Sequence, residues 1–214
     1  MRTTFLVDGF NVYHSLKDAS KDLGFKDGRG AKWLNLSSLL HANLHLFGKS
    51  AVLGEIYYFT AFANHRRKWD AHVIARHERY IRCLRDTGVI PVISRFKEKD
   101  VYCSNCKRYT KHYEEKETDV AIALKLFELL MNGHCDHVVL FTGDTDLAPA
   151  VRDASRLFPT RPVSFAFPYK RKNKELKQLV RTTFTVDKSM YLRHQFADPY
   201  TTAGGHRIAK PIEW

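Results

Sequence analysis

A chain of 214 residues with 44% hydrophobic and 27% charged side chains can bury one substantial core, which excludes a disordered polymer and makes one domain the expectation. No run approaches the roughly 18–20 apolar residues that cross a bilayer, and the opening MRTTFLVDGFNVYHS lacks the apolar stretch of a secretory signal, so a cytoplasmic protein without a membrane partner is expected. Lys plus Arg number 35 against 23 Asp plus Glu, a net charge of +12, and residues 66–85 and 161–181 hold +5 and +6 of that surplus; a polyanion, most commonly nucleic acid, is the matching partner.

In chain order, the apolar run 4–7 ends in Asp8-Gly9 and reads as a strand meeting a turn. Asn11 suits a helix N-cap for residues 12–17. Residues 23–32, with Gly24, Gly28 and Gly30, read as a mobile loop. Leu36, Leu39, Leu40, Leu44 and Phe47 recur at helical spacing before Gly48. Residues 52–62 are aromatic and β-branched and predict the second strand. A long basic helix is expected over 66–87, closed by Gly88, and a third strand over 89–96.

Residues 97–113 are polar, aromatic and basic, and predict a protruding hairpin that carries Cys103 and Cys106. An apolar helix follows at 118–131. Val-Val-Leu-Phe within 137–142 reads as a strand buried on both faces. A helix with Pro149 in its first turn covers 147–158, a fifth strand 162–167, a short basic helix 173–180 and an edge strand 183–186. The stretch 197–214 reads as a loosely held tail beyond a domain spanning 1–196. This alternation predicts a three-layer α/β/α sandwich around a mostly parallel sheet.

In open parallel sheets ligands bind beyond the carboxyl ends of the strands. Asp8 ends the first strand, Asp144 and Asp146 follow the strand from His137, and Asp119 opens the apolar helix. Crowded carboxylates keep protons or take a divalent cation, and all-oxygen donors suit Mg²⁺ or Mn²⁺. A basic chain with such a pocket matches phosphodiester hydrolysis. Taken singly, each Asp also reads as a turn former or a helix cap; together, at one sheet edge, they point to a site.

Phe-Leu-Val-Asp-Gly-Phe-Asn-Val at 5–12, Glu-Glu-Lys-Glu-Thr-Asp-Val-Ala at 114–121 and Leu-Phe-Thr-Gly-Asp-Thr-Asp-Leu at 140–147 resemble the three signature blocks of the NYN domain family, part of the PIN-like nuclease superfamily. The resemblance runs over roughly residues 3–190. It implies a Rossmann-like fold and metal-dependent RNA cleavage, with Asp8, Asp119, Asp144 and Asp146 as metal ligands and Asn11 as the polar residue beside the first Asp. Lys116 and Thr142 are weaker candidates within those blocks. Thr145 and Leu147 depart mildly from the family's usual Ser and Phe.

Cations beside aromatic rings mark two RNA-binding candidates: Lys107, Arg108 and Tyr109 in the hairpin, and Lys170, Arg171, Lys172 and Lys174 after the fifth strand. Cys103 and Cys106, with His112 as third ligand, have the spacing of a structural zinc site whose fourth ligand must come from Cys135, another His or a second subunit of a homodimer. The less specialised reading is a pair of thiols in a hairpin suited to RNA. The function expected is an endoribonuclease acting on single-stranded or structured RNA, with DNA as a further substrate class. The alternative is a non-catalytic RNA-binding or scaffolding module.

Overall fold

The computed structural model describes residues 1–25 and 30–214, so Gly28 of the expected loop lies outside the described residues. Strand β1 (Arg2–Asp8) is buried over nearly its whole length and sits at the centre of a seven-stranded sheet. The other strands are β2 (Val52–Ala61), β3 (Val89–Cys103), β4 (Arg108–Lys116), β5 (His137–Phe141), β6 (Val163–Phe167) and β7 (Thr183–Thr185), in the spatial order β4-β3-β2-β1-β5-β6-β7. All neighbours run parallel except β3 and β4. The fold class is the one the alternation predicts.

The helices are α1 (Gly9–Asp22), α2 (Leu36–Ala42), α3 (Val73–Asp86), α4 (Thr118–Asn132), α5 (Ala148–Leu157), α6 (Lys174–Leu179) and α7 (Lys188–Arg193). Alternating residues of β1 feed two cores. Phe5 and Val7 pack with Leu16, Trp33, Leu39, Tyr80 and Tyr191 on one face. Leu6 packs with Ile122, Leu126, Leu147, Val151 and Phe165 on the other. The period-2 pleat of a single strand therefore serves both helical layers.

Topology places the functional edge. The chain builds outward from β1 through β2 and β3, returns through α4, and builds the other way through β5, β6 and β7. The strand order reverses between β1 and β5, so the crevice beyond their carboxyl ends is the switch point at which such sheets bind ligands.

Four expectations need correction. Asn11 does not cap α1; the carboxylate of Asp8 does, accepting the Asn11 N–H, so the helix starts directly at the strand end and runs to Asp22. The basic helix expected over 66–87 is broken into a 3₁₀ turn at Asn64–Lys68 and α3, and Asp70, between the two, pairs with Arg76. Strand β3 continues through the expected hairpin to Cys103, and β4 returns in antiparallel register as far as Lys116 opposite Arg95.

The tail is not loosely held: Trp214 stacks edge-on against Trp33 and Tyr80 at 6.2 and 5.4 Å, and Tyr200 donates to Asp86. Arg76 and Arg79 of α3 donate to Glu213 and to the Ala209 carbonyl.

Candidate metal centre and nucleic-acid face

Three carboxylates meet at the switch point. Asp8 ends β1, Asp119 lies in the first turn of α4, and Asp144 precedes the 3₁₀ turn Thr145–Leu147 that leads into α5. One oxygen from each lies within 4.8 Å of the other two. They come from three separate segments, and what fixes them is a small set of hydrogen bonds. Asp8 accepts from the Asn11 N–H at 2.9 Å and from the Thr142 hydroxyl at 2.8 Å. Thr142 in turn accepts the Asp144 N–H at 3.1 Å. Asn11 accepts the Gly143 N–H through its side-chain oxygen at 3.1 Å, which ties α1 to the end of β5. Asp144 accepts the N–H of Asp146 at 3.0 Å.

Electrostatics shows what this arrangement lacks. Burial pushes the Asp8 carboxyl up to about 6, against the pull of the Asn11 and Thr142 donors, and the charges of Asp119 and Glu115 push the same way. Asp119 is raised by its own burial and then by Asp144 and Asp146. Both shifts are the signature of carboxylates without a counter-charge. The donor set is oxygen only, which fits a hard dication such as Mg²⁺ or Mn²⁺ and not a thiolate-seeking metal. A dication held by Asp8, Asp119 and Asp144 would relieve the repulsion and favour their ionised forms.

Asp146, expected to be a ligand, is exposed and outside the trio; its charge helps to raise the Asp119 carboxyl. Glu115 went unrecognised in the sequence. It is half-buried near the end of β4, accepts from Thr118 at 2.6 Å, and has its own carboxyl raised by burial and by Asp119. It lies four residues before Asp119, on the other side of the turn into α4, and nothing in the local run of charges sets it apart.

The basic segment 168–174 packs directly on the centre. A Cβ on Gly143 would lie 2.0 Å from the Arg171 carbonyl oxygen, so only glycine allows this loop to close on the strand end. Lys170 pairs with Asp22 and Arg171 with Asp18, at 2.5 and 2.7 Å, whereas Lys172 and Lys174 are exposed. At the hairpin, Lys107 and Arg108 are exposed and Tyr109 is 73% exposed, its ring 5.2 Å from that of Tyr102. Lys116 pairs with Glu114 at 2.8 Å.

At the base of the hairpin a cavity of ≈ 540 Å³ is lined by Phe62, His65, Lys68, Arg95, Phe96 and Tyr113, among others. His65 stacks on Tyr113 there at 4.4 Å, and Phe96 comes within 6.5 Å of Phe10, two residues from Asp8.

The expected zinc set does not assemble. His112 stands opposite Lys99 while Cys103 stands opposite Arg108. Four strand residues, or about 13 Å, separate His112 from the tip. Cys135 is buried in the core beneath the sheet, packed with Leu6 and Val138. Among the described residues, the aspartate trio is the only group of three or more such ligands.

Comparison with known proteins agrees with this geometry. Residues 2–187 match the NYN domain. 6-Hydroxy-3-succinoylpyridine 3-monooxygenase of Pseudomonas putida is 28% identical over 180 residues, which is 71% of this chain and 55% of that protein. The chain thus spans about half the length of that curated relative. A crystal structure of a protein of unknown function from Vibrio parahaemolyticus superposes with a TM-score of 0.54 at 16% identity, over 87% of this chain and 93% of that one, a likeness of fold. With its signature carboxylates gathered at the carboxyl edge of a mostly parallel sheet, the chain belongs to the NYN domain family, a PIN-like nuclease family.

Proposed function

We propose that this protein is a divalent-metal-dependent ribonuclease that cleaves RNA endonucleolytically by water attack on the phosphodiester. The observation that carries the proposal is the meeting of Asp8, Asp119 and Asp144 within 4.8 Å at the switch point of a chain with net charge +12. Bound there, Mg²⁺ or Mn²⁺ supplies neutralisation of developing negative charge and a lowered pKa for water.

The chain's own residues do the rest. Asp8, with its carboxyl at about 6, is ionised near neutral pH and ready to take a cation. Thr142 and Asn11 hold the strand ends in register, so the three carboxylates need little rearrangement on binding. Lys172 is exposed on the loop that closes over Gly143 and Lys174 is exposed at the start of α6, which supports a role in holding the phosphate backbone. The aromatic side chains of the hairpin and of the cavity at its base favour unpaired bases, and hence single-stranded segments. The oxygenation named for the Pseudomonas relative belongs to a protein of which this chain covers 55%, and the acidic trio with a surplus of cations favours phosphodiester chemistry here.

The test is cleavage of end-labelled single-stranded RNA with Mn²⁺, Mg²⁺ or chelator, comparing wild type with Asp144→Asn. Metal-dependent cleavage by wild type alone, with RNA binding kept in the variant, is expected. Cleavage retained by Asp144→Asn, or binding without cleavage in either metal, overturns the reading.

A further inference from the structure

The β3–β4 hairpin carries two thiols that the acidic centre does not use. Cys103 closes β3 and stands opposite Arg108, the first residue of β4, so Ser104, Asn105, Cys106 and Lys107 form the whole turn. The Lys107 N–H donates to the Cys103 carbonyl at 2.9 Å, and Lys107 itself holds φ at +54°, a conformation unfavourable for a side chain with a Cβ. The turn brings Cys106 back beside Cys103, and hydrogen bonding from the Cys106 backbone and side chain and from the Asn105 backbone holds the pKa of the Cys103 thiol below its ordinary value. Both cysteines are unbridged, and Cys106 is exposed. Two free thiols separated by two residues on one tight turn have the Cys-x-x-Cys spacing of half a structural zinc site.

We propose that the hairpin tip is half of a zinc site, completed by the Cys103–Cys106 pair of a second copy of this chain. Structural zinc takes four ligands in a tetrahedron, and thiolates are its preferred donors. Within one chain the described residues offer no third ligand, since His112 lies about 13 Å down the strand and Cys83 and Cys135 are buried in the body.

A two-fold axis through the metal gives four thiolates from two identical tips, the isologous arrangement by which most homodimers close. The reach is sufficient. Val92 is level with Phe59 and Asp8 across the sheet, and β3 continues from there to Cys103, about 35 Å at the usual strand rise. Two tips therefore meet without the two bodies colliding. Four thiols release four protons to solvent as one Zn²⁺ binds, which leaves a centre of charge −2. Lys107 and Arg108, exposed on each tip, offset that charge.

The test uses full-length protein prepared under reducing conditions and compares wild type, Cys103→Ser/Cys106→Ser and His112→Ala. Zinc content is read by atomic emission and molar mass by light scattering. The expected wild-type result is about one zinc per two chains in a dimer, with both zinc and dimer lost on strong chelation. Both are lost in the double serine variant and kept in His112→Ala. Cobalt-substituted wild type shows the intense visible bands of a tetrahedral tetrathiolate. A zinc-free monomer, a monomer with one zinc per chain, or a dimer indifferent to chelator overturns the proposal. Should the serine variant fold poorly by far-ultraviolet circular dichroism, the chelator and cobalt results on wild type decide. None of these readouts depends on RNA cleavage.

Discussion

The Thr142 hydroxyl donates to Asp8 Oδ2 at 2.8 Å and at the same time accepts the backbone N–H of Asp144 at 3.1 Å, so one side chain fixes the ends of two adjacent strands. Thr142 is buried, and water cannot replace it. Thr142→Val preserves the shape and removes both bonds. The expected cost is about 1–3 kcal/mol of stability, since a buried acceptor and a buried N–H lose their partner. The lost donor also lets the Asp8 carboxyl rise above about 6. Calorimetric titration with Mn²⁺ should therefore show weakened binding at pH 7 that recovers in part at pH 8.5. Unchanged affinity at both pH values would show that the hydroxyl has no part in holding the carboxylate.

The Asp8 shift makes a stability prediction whose sign is fixed. Its folded-state pKa is raised to about 6 from an ordinary value of 3.8, and the side chain is only 4% exposed. A raised carboxyl binds a proton more tightly in the folded state, so its contribution is fully present below pH 3.8 and is lost as pH rises through about 6. Asp8→Asn has no such loss. In chelator at pH 7.5 the variant should be more stable than wild type by about 1–3 kcal/mol, and near pH 4 the two should converge. Urea denaturation at the two pH values measures this. Wild type should regain the difference when Mn²⁺ is added, and the variant should not.

Gly143 carries the contact between the centre and the basic loop. Any Cβ at this position meets the Arg171 backbone at 2.0 Å, so Gly143→Ala must push the segment 168–173 away. The expected result is a loss of about 1–3 kcal/mol in stability together with weaker RNA binding. A variant with wild-type stability and wild-type affinity would mean that the loop position is unimportant.

Lys172 on that loop and Lys174 at the start of α6 should dominate the local electrostatics, because Lys170 and Arg171 already face Asp22 and Asp18. Lys172→Ala/Lys174→Ala should lower the slope of log affinity against log salt by about 1.4, the value for two phosphate contacts on a single strand. Lys170→Ala should change it less. Fluorescence anisotropy with labelled RNA from low to moderate salt reads both slopes.

The layered fold was legible because the sheet strands and most of the helices carry local signals, whereas α7 and the break before α3 do not. The apolar strands β5 and β6, the glycine stops after α3 and α4, and Pro149 at the start of α5 are all short-range signals. The acidic trio was legible because Asp8 and Asp144 follow strand ends, which the switch-point rule brings together, and because all three, Asp119 at the start of α4 included, fall in blocks that resemble the NYN domain.

What escaped the sequence depends on contacts far apart in the chain. Nothing near residue 214 signals that Trp214 packs on Trp33. Asn11 reads as a cap because a polar residue before an apolar-periodic run usually is one, and Asp8 won by sitting at the helix start itself. Glu115 was passed over within a run of charged residues, since only the fold shows which of them turns inward. His112 failed as a zinc ligand because register, unlike spacing, places it about 13 Å from the tip.

The most direct measurement titrates Mn²⁺ into metal-free protein and follows occupancy by electron paramagnetic resonance and RNA cleavage in the same samples, for wild type and Asp119→Asn. The account predicts that the wild-type cleavage rate rises in proportion to the bound Mn²⁺, and that the variant binds at least tenfold more weakly and cleaves correspondingly less at each concentration. Full cleavage in the metal-free protein, or wild-type cleavage by Asp119→Asn, would contradict it.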